Sequence, residues 1–313
     1  MIPRRLTQGL CALFMLVLLA VASAQAQMPG QVVLILDEPA TQGLPLNFRT
    51  SSFAFQVKAK HAPTRLGLDA LLISGSSQFS LAQLGVMLTK LPLPLTVVDL
   101  RQESHGFVNG LPVSWYGPRN WANQGKSLAQ VTTDEDARLA ALAASPQAVL
   151  AAKVKKDAQG IISHSTPMTV KPKEAVSEAQ ALARRGVGYL RLPLRDHVRP
   201  TDAQVDRFLV FYRGLSQRVW LHFHCHAGKG RTTSLMLLMD ILRNGDKVGL
   251  DELAKRQGLI GGSFLLSRPP QEAGFKREVY QQRAEFLRKF YRYAQANPGA
   301  RPLLWSQWLA RRP

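Results

Sequence analysis

The chain has 313 residues, with 40 Lys or Arg against 21 Asp or Glu, so its formal charge is +19. A hydrophobic fraction of 46%, with 23 Gly and 19 Pro dispersed along the sequence, excludes an acidic solvating tail, an intrinsically disordered chain and a collagen-like repeat. Two cysteines, Cys11 and Cys225, exclude a disulfide-stapled scaffold, and the length suits one large or two modest domains.

Residues 1–26 read as a secretory signal peptide. Arg4 and Arg5 precede an apolar run from Leu10 to Ala22, and Ala22-Ser23-Ala24 or Ala24-Gln25-Ala26 supplies the small-residue cleavage pattern. The run is shorter than the roughly 20 apolar residues of a spanning helix. Cleavage removes Cys11 with Arg4 and Arg5, leaving a net charge of +17 and Cys225 as the single thiol. The expectation is a secreted or periplasmic protein with no membrane span after processing.

Residues 71–74, 81–91 and 96–98 read as strand, helix and strand. From about 105 to 170 the pattern is less regular, with turns at Asn109-Gly110 and Ala158-Gln159-Gly160 and a helix-like stretch over 134–144. A helix over 174–185, ended by Gly186, leads into a strand over 189–194. Asp196 follows in Arg195-Asp196-His197-Val198-Arg199-Pro200, and a helix starts near Thr201 or Asp202, with Val205, Phe208, Leu209 and Tyr212 on one face. Val219 to His224 reads as a strand buried in a sheet. A helix from about 232 to 242 carries Leu235, Leu238, Met239 and Leu242 on its buried face and stops at Gly245.

Between that last strand and helix lies His226-Ala227-Gly228-Lys229-Gly230, opened by Cys225 and closed by Arg231. A strand–loop–helix unit aims its loop N–H groups and the positive helix end at one point, which suits a phosphate. The thiolate is the nucleophilic form of cysteine, and helix terminus, loop amides and Arg231 all favour the charged sulfur. Arg231 offers a planar fork to two phosphoryl oxygens, a geometry lysine lacks. Thr232 beside the sulfur is expected to donate to the departing thiolate, and His224 to order the loop from behind. The Walker nucleotide loop needs Gly-Lys-Ser/Thr, which Gly228-Lys229-Gly230 does not supply.

The string His224-Cys225-His226-Ala227-Gly228-Lys229-Gly230-Arg231-Thr232-Thr233 resembles the HCxxGxxRT signature of protein-tyrosine-phosphatase-like cysteine phosphatases. Asp196, in its Asp-His-x-x-Pro context, resembles their general-acid loop, which protonates the leaving alcohol. An acid that must be protonated while a thiol is ionised predicts a bell-shaped, acid-leaning pH profile. Further stretches resemble the cysteine phytases, the inositol polyphosphate phosphohydrolases of this superfamily. These are Asn47 to Ser51, Asp99 to Gly106, Pro112 to Gly117, Arg256-Gln257 with Ile260-Gly261-Gly262, Phe290 to Tyr293, and Trp305-Ser306 with Trp308-Leu309.

The likeness spans roughly residues 47–313. It implies an α/β fold, with a phosphatase core from 27–104 and 171–313 and a small β-barrel-like insertion over about 105–170. It implies that Arg49, His197, Lys276 and Arg283 line the pocket with Asp196, Cys225 and the loop residues His226, Ala227, Gly228, Lys229 and Gly230. Asn120 would also bind substrate, although it stands where the family commonly has an aspartate. Glu272 and Arg199 are further departures, in place of a lysine and an aromatic. So many cations suit a multiply phosphorylated ring better than a lone phosphotyrosine.

The reading is stepwise phytate hydrolysis through a Cys225 phosphocysteine, with no metal or other cofactor. His61, His164, His222 and His226 show no metal-ligand spacing. A protein tyrosine phosphatase would share every catalytic residue. A noncatalytic polyanion-binding protein is the rival from another class, but no nucleic-acid motif accompanies the charge, and nucleic acid is not an expected partner.

Overall fold

A computed structural model describes residues 31–39, 42–56, 62–215, 218–268, 274–298 and 303–311. The leader with Cys11, and also His61 and Glu272, lie outside the described residues. Strands β1 (Val33–Leu36) and β2 (Arg49–Thr50) come first, and a 3-10 turn at Asp69–Leu71 leads to β3 (Ile73–Ser76), α1 (Leu81–Leu88) and β4 (Leu95–Arg101). The middle holds β5 (His105–Val108), β6 (Leu111–Tyr116), α2 (Leu128–Ala144), β7 (Ala148–Lys156), β8 (Ile162–Val170) and β9 (Ala175–Val176). Then follow α3 (Glu178–Ala183), β10 (Gly188–Leu194), α4 (Asp202–Gly214), β11 (Trp220–His224), α5 (Gly230–Asn244), α6 (Leu250–Leu259), α7 (Lys276–Ala296) and α8 (Trp305–Ala310).

Five strands form one sheet in the order β10-β4-β11-β3-β2, with β10, β4, β11 and β3 parallel and β2 antiparallel at the edge. The near-continuous burial of β4 and β11, polar Asp99, Arg101, His222 and His224 included, is that of strands covered on both faces. On one face α4, α5 and α7 pack Phe208, Leu235, Leu238 and Phe290 against Val98, Leu192 and Phe223. On the other, α1 and α3 bring Leu84, Met87 and Leu182 against Val97 and Trp220. Because four strands run parallel, their carboxyl ends share one edge, and the segments after Leu194, Arg101, Ser76 and His224 meet there.

The β-rich part is a six-stranded sheet, β8-β7-β1-β6-β5-β9, with α2 packing Leu139 and Leu142 against Val108, Val113 and Trp115. Strands β1 and β9 reach it from outside residues 105–170. The helix expected over 174–185 is shorter. Ala175-Val176 pairs with Phe107-Val108, and Ser177 then starts α3 through a capping box with Gln180. A second such box, Ser127 with Gln130, starts α2 six residues before the expected 134. Gly245 ends α5 in right-handed backbone (φ −66), so close approach to Ile241, not left-handed freedom, accounts for the glycine.

Candidate active site

β11 ends at His224, and Cys225, 3% exposed, sits where the chain turns into the loop. Gly228 adopts φ +69, and a Cβ there would overlap the Ser76–Ser77 peptide, so only glycine closes this turn. The loop carbonyls are tied outward. His226 O accepts from Gln78 N (3.1 Å), Ala227 O from Asn47 Nδ2 (2.9 Å) and Gly228 O from Arg49 Nη1 (2.8 Å). With their carbonyls held outside, the loop amides are left for the inner side, toward the sulfur. Thr232 Oγ1, in the first turn of α5, donates to Cys225 Sγ at 3.2 Å.

Arg49 therefore differs from its expected place. It is fully buried behind the loop, donating also to Asn47 O and Thr233 Oγ1, and it braces the loop instead of lining the cavity. Burial pulls its pKa down to about 10, against the opposing pull of Cys225, which still leaves it charged at neutral pH. His224 is likewise behind the site, with Nε2 2.7 Å from Glu178 Oε1 and its ring against Phe79. It touches no reacting atom.

Arg231 is 2% exposed and sits in a ring of polar groups. Its Nη1 donates to Glu103 Oε2 (2.8 Å) and its Nη2 to Glu103 Oε1 (3.0 Å), while Nη2 also lies 3.1 Å from Asp196 Oδ1. Asn120 Nδ2 donates to both acids, at 2.9 Å to Glu103 Oε1 and 3.1 Å to Asp196 Oδ2. Glu103 also accepts from Arg101 Nε (3.0 Å), whose Nη1 donates to Asp37 Oδ2 (2.7 Å). Burial alone would raise the Glu103 carboxyl, but Arg231 and Arg101 hold it well below the usual range. Burial also raises the Asp196 carboxyl, and Arg231 and His197 override it, bringing it down to about 2. Asp196 is thus ionised in this state.

The loop that carries Asp196 is pinned in place. His197 N donates to Asp196 Oδ1 (2.9 Å), Trp121 Nε1 donates to Asp196 O (2.9 Å), and Arg283 Nη2 donates to His197 O. Above the sulfur opens a cavity of about 470 Å³. His226, Ala227, Lys229, Gly230 and Arg231 form its floor beside Cys225, and Asp196, His197, Lys276 and Arg283 stand on its walls. Burial lowers the His197 pKa to about 4 in spite of Asp196, so this ring is neutral above that pH.

Asn120 is a second correction: 4% exposed, it lies beneath the acid and is not among the cavity-lining residues. Arg199 turns away to Asp202 (2.9 Å) and helps line a larger groove of about 670 Å³ beside α7 and α8, which holds no nucleophile. Sequence reasoning missed Glu103, although it lies inside the Asp99 to Gly106 string. It also missed Tyr116 and Lys156, which the six-stranded sheet carries to the cavity, with Lys156 Nζ 3.9 Å from the Tyr116 ring centre. Tyr116 too lies inside a quoted string, Pro112 to Gly117, whereas nothing local in the sequence marks Lys156.

A family model for PTP-like phytases, described by inositol hexakisphosphate, matches residues 98–243. A PTP-like phytase from Bdellovibrio bacteriovorus is 32% identical with a TM-score of 0.67, over 91% of this chain and 97% of that one. The PTP-like myo-inositol phosphatase from Mitsuokella multacida, solved with myo-inositol-(1,3,4,5)-tetrakisphosphate, is 35% identical with a TM-score of 0.85, over 91% of this chain and 48% of that one. The effector protein hopD2 of Pseudomonas syringae pv. tomato is 30% identical over 307 residues, 94% of this chain and 63% of the effector. The chain thus spans about half of the Mitsuokella protein and under two thirds of the effector.

Proposed function

The chain belongs to the protein-tyrosine-phosphatase-like phytases, and on that premise we propose that it removes phosphates one at a time from myo-inositol hexakisphosphate through a phosphocysteine at Cys225. The observation that carries this reading is one cavity in which Cys225, Arg231 and Asp196 converge while Lys156, Lys229, Lys276 and Arg283 surround them. One phosphate needs the floor alone. The cations of the walls suit the other phosphates of a polyphosphorylated ring.

In the first step the Cys225 thiolate attacks phosphorus, the S–P bond forms as the ester P–O bond breaks, and Asp196 gives its proton to the departing ring oxygen. In the second, water attacks the phosphocysteine while the Asp196 carboxylate takes its proton. The S–P bond then breaks, inorganic phosphate leaves, and Thr232 Oγ1 donates to the released thiolate. Loop amides and Arg231 stabilise the equatorial oxygens in both steps. Arg231 Nε, buried and without a partner among the described residues, is the donor left for a phosphoryl oxygen.

Substrate itself loads the acid. An approaching phosphate adds negative charge beside Asp196 and competes with Oδ1 for Arg231 Nη2, and both effects raise the carboxyl toward protonation. Export to the periplasm or beyond is part of the proposal and rests on the leader read at residues 1–26.

The test is phosphate release from phytate and from a phosphotyrosine peptide, from acid to neutral pH, by the wild type and Cys225→Ser. Phytate turnover that disappears in Cys225→Ser is the expected result. Preference for the peptide would move the chain to the tyrosine phosphatases, and turnover surviving in Cys225→Ser would overturn the phosphocysteine.

A further inference from the structure

Arg231, Glu103, Asn120 and Asp196 close a ring in which two donors alternate with two carboxylates. Both neighbours of the Asn120 amide are acceptors, so the NH₂ must face them, one N–H to each. Its Oδ1 is left buried without a partner among the described residues. The backbone is bent to place this group, with Arg119 at φ 59 and Asn120 at φ 66, a region that asparagine and aspartate tolerate better than most residues. An aspartate would therefore fit the backbone but could not donate to two carboxylates.

Resting on the phosphatase reading with Asp196 as general acid, we infer that Asn120 is a positioning residue that holds Asp196 in register after substrate has claimed Arg231. Asp196 Oδ1 faces Arg231 Nη2, whereas Oδ2 is held by Asn120. When a phosphoryl oxygen takes Nη2, the Arg231 tether is lost, and the carboxylate is left with Asn120 on Oδ2 and the His197 N–H on Oδ1. Oδ2 keeps its Asn120 donor, whereas Oδ1 gives up Nη2 and keeps the His197 N–H alone, so the lone pair freed on Oδ1, on the side of Arg231, is the one that takes up the proton. The same amide keeps Glu103 bidentate on Arg231, so one side chain serves both the acid and the phosphate-binding fork.

The charged groups around Asp196 come from several elements. Arg231 and Glu103 lie in the ring, and His197 and Cys225 flank it. Tyr116 and Lys156 face it from the six-stranded sheet, beside Asp157 in the cavity wall. From α7 and the segment before it come Lys276, Tyr280 and Arg283. Variants at 120 change none of these residues and remove only the two amide contacts, to Asp196 and to Glu103.

The experiment compares wild type, Asn120→Ala, Asn120→Asp and Asp196→Asn on phytate and on p-nitrophenyl phosphate, with kcat and KM across pH and a thermal midpoint for each protein. An alkoxide leaving group needs the proton and nitrophenolate hardly does, so the two substrates separate acid catalysis from binding. Asn120→Ala is expected to lose about tenfold in kcat on phytate, several-fold more than on the aryl ester, with KM nearly unchanged. Asn120→Asp is expected to move the basic limb of the phytate kcat profile up by about one pH unit, since a like charge raises its neighbour's pKa.

A raised phytate KM with kcat unchanged would make Asn120 a substrate-binding residue instead, and equal losses on both substrates with a lowered midpoint would make it merely structural. Either result overturns the inference. If the wild type ignores phytate, the phytase reading fails by itself, and glycerol 2-phosphate serves as the alkyl ester for the same comparison.

Discussion

The floor of the cavity and its walls are built by different means. The floor is nine consecutive residues, 224–232, whose shape follows from one strand, one left-handed glycine and one helix start. The walls come from separate stretches: Tyr116 on β6, Lys156 at the end of β7, His197 after β10, and Lys276 and Arg283 on α7. In the proposed function, reactivity toward a phosphate is thus a local property, whereas the capacity for several phosphates at once is a property of the assembled molecule.

The strongest way to break the floor alone is Gly228→Ala. The new methyl group would meet the Ser76–Ser77 peptide at a backbone angle that alanine disfavours. Turnover of phytate and of an aryl phosphate should both fall by about 10² or more, because a displacement of order 1 Å costs that much in an aligned site. Parallel kcat measurements on the two substrates check it, and a loss on phytate only would contradict the local character of the floor.

Glu103 joins floor to walls. In Glu103→Ala, Arg101 and Arg231 lose a shared buried carboxylate, which should cost about 3 kcal/mol of stability, read as a lower denaturant midpoint, together with most of kcat. Lys276→Ala and Lys156→Ala test the walls. Each should raise KM for phytate about five- to tenfold, the loss of one charge-assisted contact, while leaving the aryl phosphate KM within about twofold. Added salt should weaken phytate binding in the same selective way.

The smallest effect concerns pH and stability. The Asp196 carboxyl is held at about 2 in the fold and titrates near 3.9 when unfolded. Its depressed pKa contributes stability that is complete above the unfolded value and is lost as pH falls from about 4 toward 2. Asp196→Asn should lack that component, at most about 2–3 kcal/mol, in thermal midpoints followed through this range.

Much of the floor was legible because its chemistry and its spacing coincide. Cys225, Arg231 and Thr232 lie on one short string, and the strand before and helix after it carry plain apolar patterns. Asp196 was legible because it too follows a core strand at the same sheet edge. Arg49 was expected in the pocket because the resemblance implied it there. Its partners, Gly228 O, Asn47 O and Thr233 Oγ1, are not evident in a linear reading, and they draw it behind the loop. Asn120 was misplaced for a similar reason, since a two-sided carboxylate contact exists only once Glu103 and Asp196 are brought together. The helix over 174–185 was overextended because pairing with β5 outweighs local helix preference at Ala175-Val176.

By itself the sequence determined the loop from Cys225 to Arg231 and Thr232, and the strand and helix that carry it, because each depends on neighbours a few residues away. Tertiary structure alone decided that Arg49 stands behind the loop, that Lys156 joins the cavity cations, and which carboxylates hold Arg231. It carried Lys156 to the wall on a hairpin and turned Arg199 away toward Asp202. Every cation in this strongly basic chain has the same charge, and only folding decides which of them are held at one point in space, where a charge-assisted contact is worth something.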